Sequence, residues 1–263
     1  KGTPRDRIGW IRTMSEGDSV DYVLLGSSRC VHHIDPKLIL EKTGLKGYNL
    51  GYAASGPVEI KLTLEQFLLH STTKKVFIQV DFNYNYIKPD GMAKVCWIPY
   101  LKEPDVYDEF IRYDNKYFWL KNIPFYRYMI NDPKIGFRNV FFMALGKTKK
   151  TKNTLGFAPL NGELKEITQQ VPDVDLQENL IFKEIYAICQ EKGIKCVFFT
   201  SPMYQTGPDY DVLKNYLPNY FNFSRELQDK SLYKDNTHLN AKGAILFTQL
   251  FAKTFFTPSE SVQ

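Results

Sequence analysis

Four short apolar runs recur along the chain, each closing on glycine, proline or a polar turn. Asp21–Gly26 (DYVLLG) and Tyr48–Gly51 (YNLG) end in glycine. Lys75–Asn83 (KVFIQVDFN) is β-branched and aromatic, and Ile194–Pro202 (IKCVFFTSP) ends in proline. Continuous runs of this length suit strands buried on both faces of a parallel sheet. A fifth strand is expected near Tyr220–Phe223. Helical periodicity falls between the runs. Pro57–His70 carries Val58, Leu62, Phe67 and Leu68 at helical spacing, with Pro57 suited to a first turn. Leu176–Lys192 repeats apolar residues at Leu180, Ile181, Ile185 and Ile188, and Gly193 stands where a helix-ending glycine would. Ala241–Phe256 reads as a last amphipathic helix. Strands alternating with helices predict an α/β fold, a three-layer α/β/α sandwich with a mostly parallel sheet and right-handed crossovers.

One stretch breaks the alternation. Tyr84–Asp175 is far longer than an ordinary connection, and its many aromatic residues argue against disorder. It reads as an inserted cap, residues 84–175 of a single domain spanning 1–263. Helices are expected at Pro104–Tyr113 and Phe125–Leu145. Its Trp97, Tyr100, Trp119, Phe125 and Tyr126 fit either a platform for stacking sugar rings or the small core of the cap. The core reading is favoured for most of them, with one or two reaching the cleft.

Composition narrows the class. With 263 residues, 43% hydrophobic and 24% charged, the chain is globular rather than disordered or collagen-like. No apolar run approaches the ~18 residues that span a bilayer. A net charge of +5, with the charges mixed, does not point to nucleic acid. The densest basic run, Lys147, Lys149, Lys150 and Lys152, reads as a solvated loop. Cys30, Cys96, Cys189 and Cys196 form no CxxC pair and no zinc spacing, and Cys189 and Cys196 read as small core residues. The chain opens on Lys1, which leaves room for a preceding signal peptide or membrane anchor; an extracytoplasmic location is expected on that basis.

Candidate chemistry sits where an α/β sheet puts its ligand, at the C-terminal ends of strands. Gly26-Ser27-Ser28-Arg29 follows the first run, Asn49-Leu50-Gly51 the second, and Asp81-Phe82-Asn83 the third. Asp235-Asn236-Thr237-His238 precedes the last helix. Singly, each is as readily a turn or a helix cap. In this order and at these positions, they resemble the four blocks of the SGNH (GDSL-like) hydrolase family. The serine of the first block falls on Ser28, the second-block glycine on Gly51, the third-block asparagine on Asn83, and the final Asp-x-x-His on Asp235 and His238. The resemblance covers roughly Asp21–Asn83 and Leu176–Phe256. Three positions depart from it. Ser27 replaces the first-block aspartate, Asp81 the third-block glycine, and Tyr84 the third-block aspartate. The Gly-Ser-Ser form is similar to divergent members that act on cell-envelope polymers.

Chemistry supports the same residues. A serine hydroxyl is a weak nucleophile until a base takes its proton, and histidine titrates nearest neutral pH. Asp235, three residues before His238, can fix the ring tautomer and stabilise the imidazolium. The oxyanion donors are expected to be the backbone N–H groups of Ser28 and Gly51 and the side-chain amide of Asn83. A carboxylate at Asp81 is expected close to the developing oxyanion, where it would weaken activity on simple esters. Arg29 reads as a loop-holding salt bridge, with an anionic substrate group as the alternative. His32 and His33 read as surface or helix-end residues, with His32 the candidate for the pocket; His70 has no chemical role. No metal or organic cofactor is expected. The resemblance implies an esterase or O-acyltransferase acting on acylated carbohydrate, envelope glycan or a small ester through an acyl-serine. The alternative is a non-catalytic glycan-binding module on the same fold.

Overall fold

The structure is a computed structural model that describes residues 7–131, 151–167, 175–205 and 207–256. Five strands, β1 (Val20–Leu25), β2 (Gly47–Asn49), β3 (Thr73–Gln79), β4 (Lys195–Thr200) and β5 (Tyr220–Asn222), form one parallel sheet in the order β2-β1-β3-β4-β5. Register pairs Leu24 with Asn49 and with Phe77, and Phe77 with Val197. Each strand overlaps a segment predicted from its apolar run, though β1, β2 and β3 begin one or two residues before theirs. The third ends at Gln79, four residues early, so Asp81–Asn83 lie in the turn beyond it. A separate antiparallel hairpin joins β6 (Tyr233–Asp235) to β7 (His238–Leu239).

Successive strand side chains alternate between the sheet faces, and both faces are apolar. Val23, Leu25, Val76, Ile78 and Phe198 form a core with helices α1 (Arg7–Ile11), α4 (Pro57–His70) and α8 (Leu180–Glu191). Tyr22, Leu24, Phe77, Val197 and Phe199 face α2 (Ser28–His33), α3 (Pro36–Thr43) and α9 (Ala241–Phe256). The sheet is thus the middle of three layers. On the second face Phe77 meets Phe251 and Phe255 with ring centroids 4.8 and 4.9 Å apart. Helix α8 begins four residues after Leu176 because the Asn179 side chain caps it, accepting from Ile181 N–H at 2.9 Å.

The long insertion contributes α5 (Pro104–Ile111), α6 (Lys116–Asn122) and the short α7 (Tyr126–Met129), after a 3₁₀ stretch at Ala93–Tyr100. Most of the helix predicted over Phe125–Leu145 falls outside the described residues, as do Lys147, Lys149 and Lys150. Trp97, Ile98, Val106, Phe110, Tyr117 and Leu120 form a third apolar cluster, completed by Leu62 of α4 and Ile8 of α1. Helix α4 is therefore covered on two sides, by the sheet and by the insertion. That explains why Glu59, Lys61, Thr63 and Gln66 are buried on it and paired: Lys61 Nζ lies 3.0 Å from Glu109 and 2.5 Å from Glu184. Cys189 and Cys196 are core residues. Among the described residues, no helix is long and apolar enough to cross a membrane.

Candidate active site

The strand order reverses between β1 and β3, and a crevice opens there at their C-terminal ends. Leaving β1, the chain turns at Gly26 with φ 152°, where a Cβ would sit 2.6 Å from the Gln79 Cβ, so glycine is required. Ser27 then caps α2, its Oγ accepting from Arg29 N–H at 3.4 Å. Ser28 stands at the first position of that helix. Its N–H therefore has no acceptor within the helix, and its half-buried hydroxyl opens into the crevice.

His238 approaches from the β6–β7 hairpin. Ser28 Oγ lies 2.8 Å from His238 Nε2. Asp235 Oδ1 and Oδ2 each lie 3.0 Å from His238 Nδ1. The carboxylate is itself pinned, because Oδ1 accepts the backbone N–H groups of Thr237 and His238 at 2.9 Å each. Thr237 Oγ1 adds a further contact, 2.9 Å from Asp235 Oδ1 and 3.0 Å from His238 Nδ1. Partial burial pushes the Asp235 carboxyl up, but hydrogen bonds and charge from His238 and Thr237 outweigh it and hold the group well below its usual range. An ionised Asp235 fixes the proton on Nδ1 and leaves the Nε2 lone pair facing the serine.

The cavity around these groups is about 910 Å³ and takes in Ser28, Arg29, His32, Phe82, Asn83 and His238. Ala53 and Ala54, Tyr86, Asp90 and Met92, Leu160 and Lys234 complete its walls. The first and last parts of the insertion thus reach the cleft, while its helices pack on the outer side of α4. Residues 155–164 are stitched beneath it: Leu155 O accepts from Asn49 N–H at 2.8 Å, and Ala158 N–H donates to Val31 O at 3.1 Å.

Comparison with known proteins adds little at this distance. No protein-family model matches the chain, and no curated protein matches its sequence. Among solved structures, the chain is similar to one described as a lipolytic protein of G-D-S-L family from Desulfitobacterium hafniense DCB-2. Identity is 11%, coverage is 89% of this chain and 98% of that one, and the TM-score is 0.43.

Several sequence expectations change at the site. Gly51 does not line the cleft. Its N–H donates to Asn49 Oδ1 at 3.2 Å, and a Cβ there would sit 2.8 Å from the Cys30 Cβ, so glycine serves the packing of α2. The cleft is instead lined by the turn Tyr52–Ser55, closed by a 3.1 Å backbone bond, with Ala54 at φ 63° where glycine is usual. Asp81 does not face the cleft either. It is buried and bound by the Arg29 guanidinium, whose Nε lies at 2.7 Å, by Gln79 Nε2 at 2.8 Å and by Asn83 N–H at 2.9 Å. Burial pushes the carboxyl up, and Arg29 and these donors more than reverse it, leaving it below the ordinary range. Arg29 forms the expected salt bridge and also stacks over Phe82 at 4.2 Å.

Ser27, at 2% exposure, is spent on this network, its Oγ 2.9 Å from both Gln79 Oε1 and Asp81 Oδ2. The two histidines after the serines separate. His32 reaches the cleft with Nδ1 2.5 Å from Ala158 O, and burial lowers its pKa. His33 is fully buried rather than at the surface; its Nε2 accepts Leu239 N–H at 3.0 Å and so holds the strand that carries His238. Of the five insertion aromatics, Trp97 is core, Tyr100 and Tyr126 pack beside it, and Trp119 and Phe125 face solvent. None lines the cleft; Phe82 and Tyr86 do. Gln79, a polar residue inside an apolar strand run, is the sequence signal for the buried network.

Proposed function

We propose that this protein is a serine esterase or O-acyltransferase of the SGNH type, acting on O-acylated carbohydrate. The observation that carries the reading is the continuous hydrogen-bonded chain from Ser28 Oγ through His238 to Asp235, at 2.8 and 3.0 Å. These distances lie within the range expected of a working nucleophile and base. Together with an Asp81 held out of the cleft, they favour an enzyme over a glycan-binding module on the same fold.

In the proposed reaction His238 Nε2 takes the Ser28 proton as Oγ attacks the ester carbonyl. The tetrahedral oxyanion is met by Ser28 N–H, the Asn83 side-chain amide and the backbone of the Ala53–Ala54 turn. The imidazolium, steadied by Asp235, then gives its proton to the departing alcohol and leaves an acyl-serine. Water or a second hydroxyl attacks that ester, again with His238 as base. The glycan assignment draws on the cleft itself. At about 910 Å³ it falls in the usual range for ligand sites, and it combines the rings of Phe82 and Tyr86 with the polar groups of Asn83, Asp90 and Lys234. Turnover of p-nitrophenyl acetate tests the reading. Wild type is expected to hydrolyse it, and Ser28→Ala and His238→Ala to fall by about 10³-fold or more. Equal rates in wild type and Ser28→Ala would refute it.

A further inference from the structure

A second feature stands apart from the cleft chemistry. Phe118, Trp119, Ile123, Phe125, Met129 and Ile130 are all exposed and lie close together in the chain. Helix α6 buries Tyr117 and Leu120 in the insertion's cluster. Its other face should then be polar, as on an ordinary surface helix. Instead it carries Phe118 and Trp119, whose rings meet edge to face at 5.1 Å. The following turn holds Phe125 at φ 59°, a left-handed conformation unfavourable for any residue but glycine, and leaves its ring 82% exposed. Exposed apolar rings and aliphatic side chains gathered over so short a stretch are the kind of surface that a partner covers.

The charges around the patch indicate what covers it. Residues 115–131 contain Lys116, Lys121 and Arg127 and no acidic residue. Lys121 Nζ sits 3.6 Å from the Tyr107 ring centroid, and the Arg127 guanidinium lies over Tyr128 at 4.9 Å. Lys116 has an acidic partner, Asp114, at 2.6 Å. A symmetric contact with a second copy would set these cations against one another. Tryptophan, tyrosine and phenylalanine interleaved with lysine and arginine match the headgroup zone of an anionic bilayer, where rings enter the interface and cations meet lipid phosphate. Helix α7 also packs on the 3₁₀ stretch Ala93–Tyr100, which follows Met92 of the cleft wall in the chain.

We propose that residues 116–130 form a docking surface for membranes bearing anionic phospholipid, with Trp119 and Phe125 entering the interface and Lys121 and Arg127 on lipid phosphates. The proposal does not depend on the reaction assigned to Ser28.

The 263-residue chain is mixed with vesicles of phosphatidylcholine alone or of phosphatidylcholine with phosphatidylglycerol, and binding is read by co-sedimentation and tryptophan emission. Trp10 and Trp97 are buried, so a shift of emission to the blue reports Trp119. Binding is expected with phosphatidylglycerol present, weaker at high salt, about tenfold weaker in Phe125→Ser, and clearly reduced in Lys121→Glu. Trp119→Phe should still sediment with vesicles while losing the shift. Three results would each overturn the proposal: no binding to phosphatidylglycerol vesicles; binding that Phe125→Ser and Lys121→Glu leave unchanged; or a dimer of this chain that Phe125→Ser dissolves.

Discussion

Arg29 and Asp81 show how much of the site is support. Their side chains are 3% and 2% exposed, so neither charge is satisfied by water. Removing one partner strands the other, which typically costs about 3–5 kcal/mol for a buried pair. Arg29→Met is therefore expected to lose stability of that order in urea unfolding. Because Asp81 titrates below its ordinary value, its contribution is present above the unfolded-state pKa and fades as pH falls through the folded one. The gap between wild type and Asp81→Asn should accordingly narrow below about pH 4. Ala54 presents a different case. At φ 63° it bears strain that glycine would not, so Ala54→Gly should raise stability by about 1 kcal/mol with activity retained, as read by urea unfolding and ester turnover. Ser28, Asp235 and His238 were legible in the sequence because their chemistry is tied to spacing and to strand ends. That Ala54 rather than Gly51 lines the cleft was not. Glycine is the usual sign of positive φ, yet here an alanine takes that conformation and the glycine answers to Cys30.

At the scale of elements, long apolar runs and helical periods foretold the strands and the helices α4, α8 and α9. Six-residue α2 is too short to show a period. In the sequence it is signalled only by a candidate cap at Gly26-Ser27-Ser28 and by His32 and His33 as candidate helix-end residues, and it carries Ser28 at its start and those histidines at its end. The hairpin β6–β7 shows no period for the same reason. Helix α4 illustrates what pattern alone does not reveal, since its polar residues face a second layer rather than water. Glu59 on its first turn is buried, and its Oε2 accepts Gly56 N–H at 3.1 Å while Oε1 accepts Asp90 N–H at 2.7 Å. It thus ties α4 to a cleft-lining segment. Burial pushes its carboxyl up to about 8 from an ordinary 4.5. A raised pKa gives stability below the unfolded value that is lost as pH rises through the folded one. Wild type should therefore lose ground to Glu59→Gln between about pH 5 and about pH 9, a difference that urea titrations at the two pH values would read. A constant offset would mean that Glu59 is ionised in the folded protein across that range, as it is in the unfolded one.

Over the whole molecule, the fold joins parts of the chain that are remote in sequence. Ser28 and His238 are 210 positions apart, and the sheet's reversal between β1 and β3 sets the crevice where they meet. Strand–helix alternation gave that architecture away in advance. The insertion reads in the sequence as a cap over the C-terminal edge of the sheet; its helices instead pack beside α4, because nothing in its own residues announces that Leu62 and Ile8 complete its core. Among the described residues, the insertion lends the cleft the segments near its ends, around Tyr86–Met92 and at Leu160. All of this organisation serves one claim, that Ser28 is a nucleophile activated by His238. A fluorophosphonate probe followed by peptide mass mapping tests it directly, since the probe reacts with an activated serine whatever the natural acyl group. The account predicts a single adduct on Ser28, retained in Ser27→Ala and absent from Ser28→Ala and His238→Ala. An adduct on Ser27, or an unlabelled wild type, would contradict it.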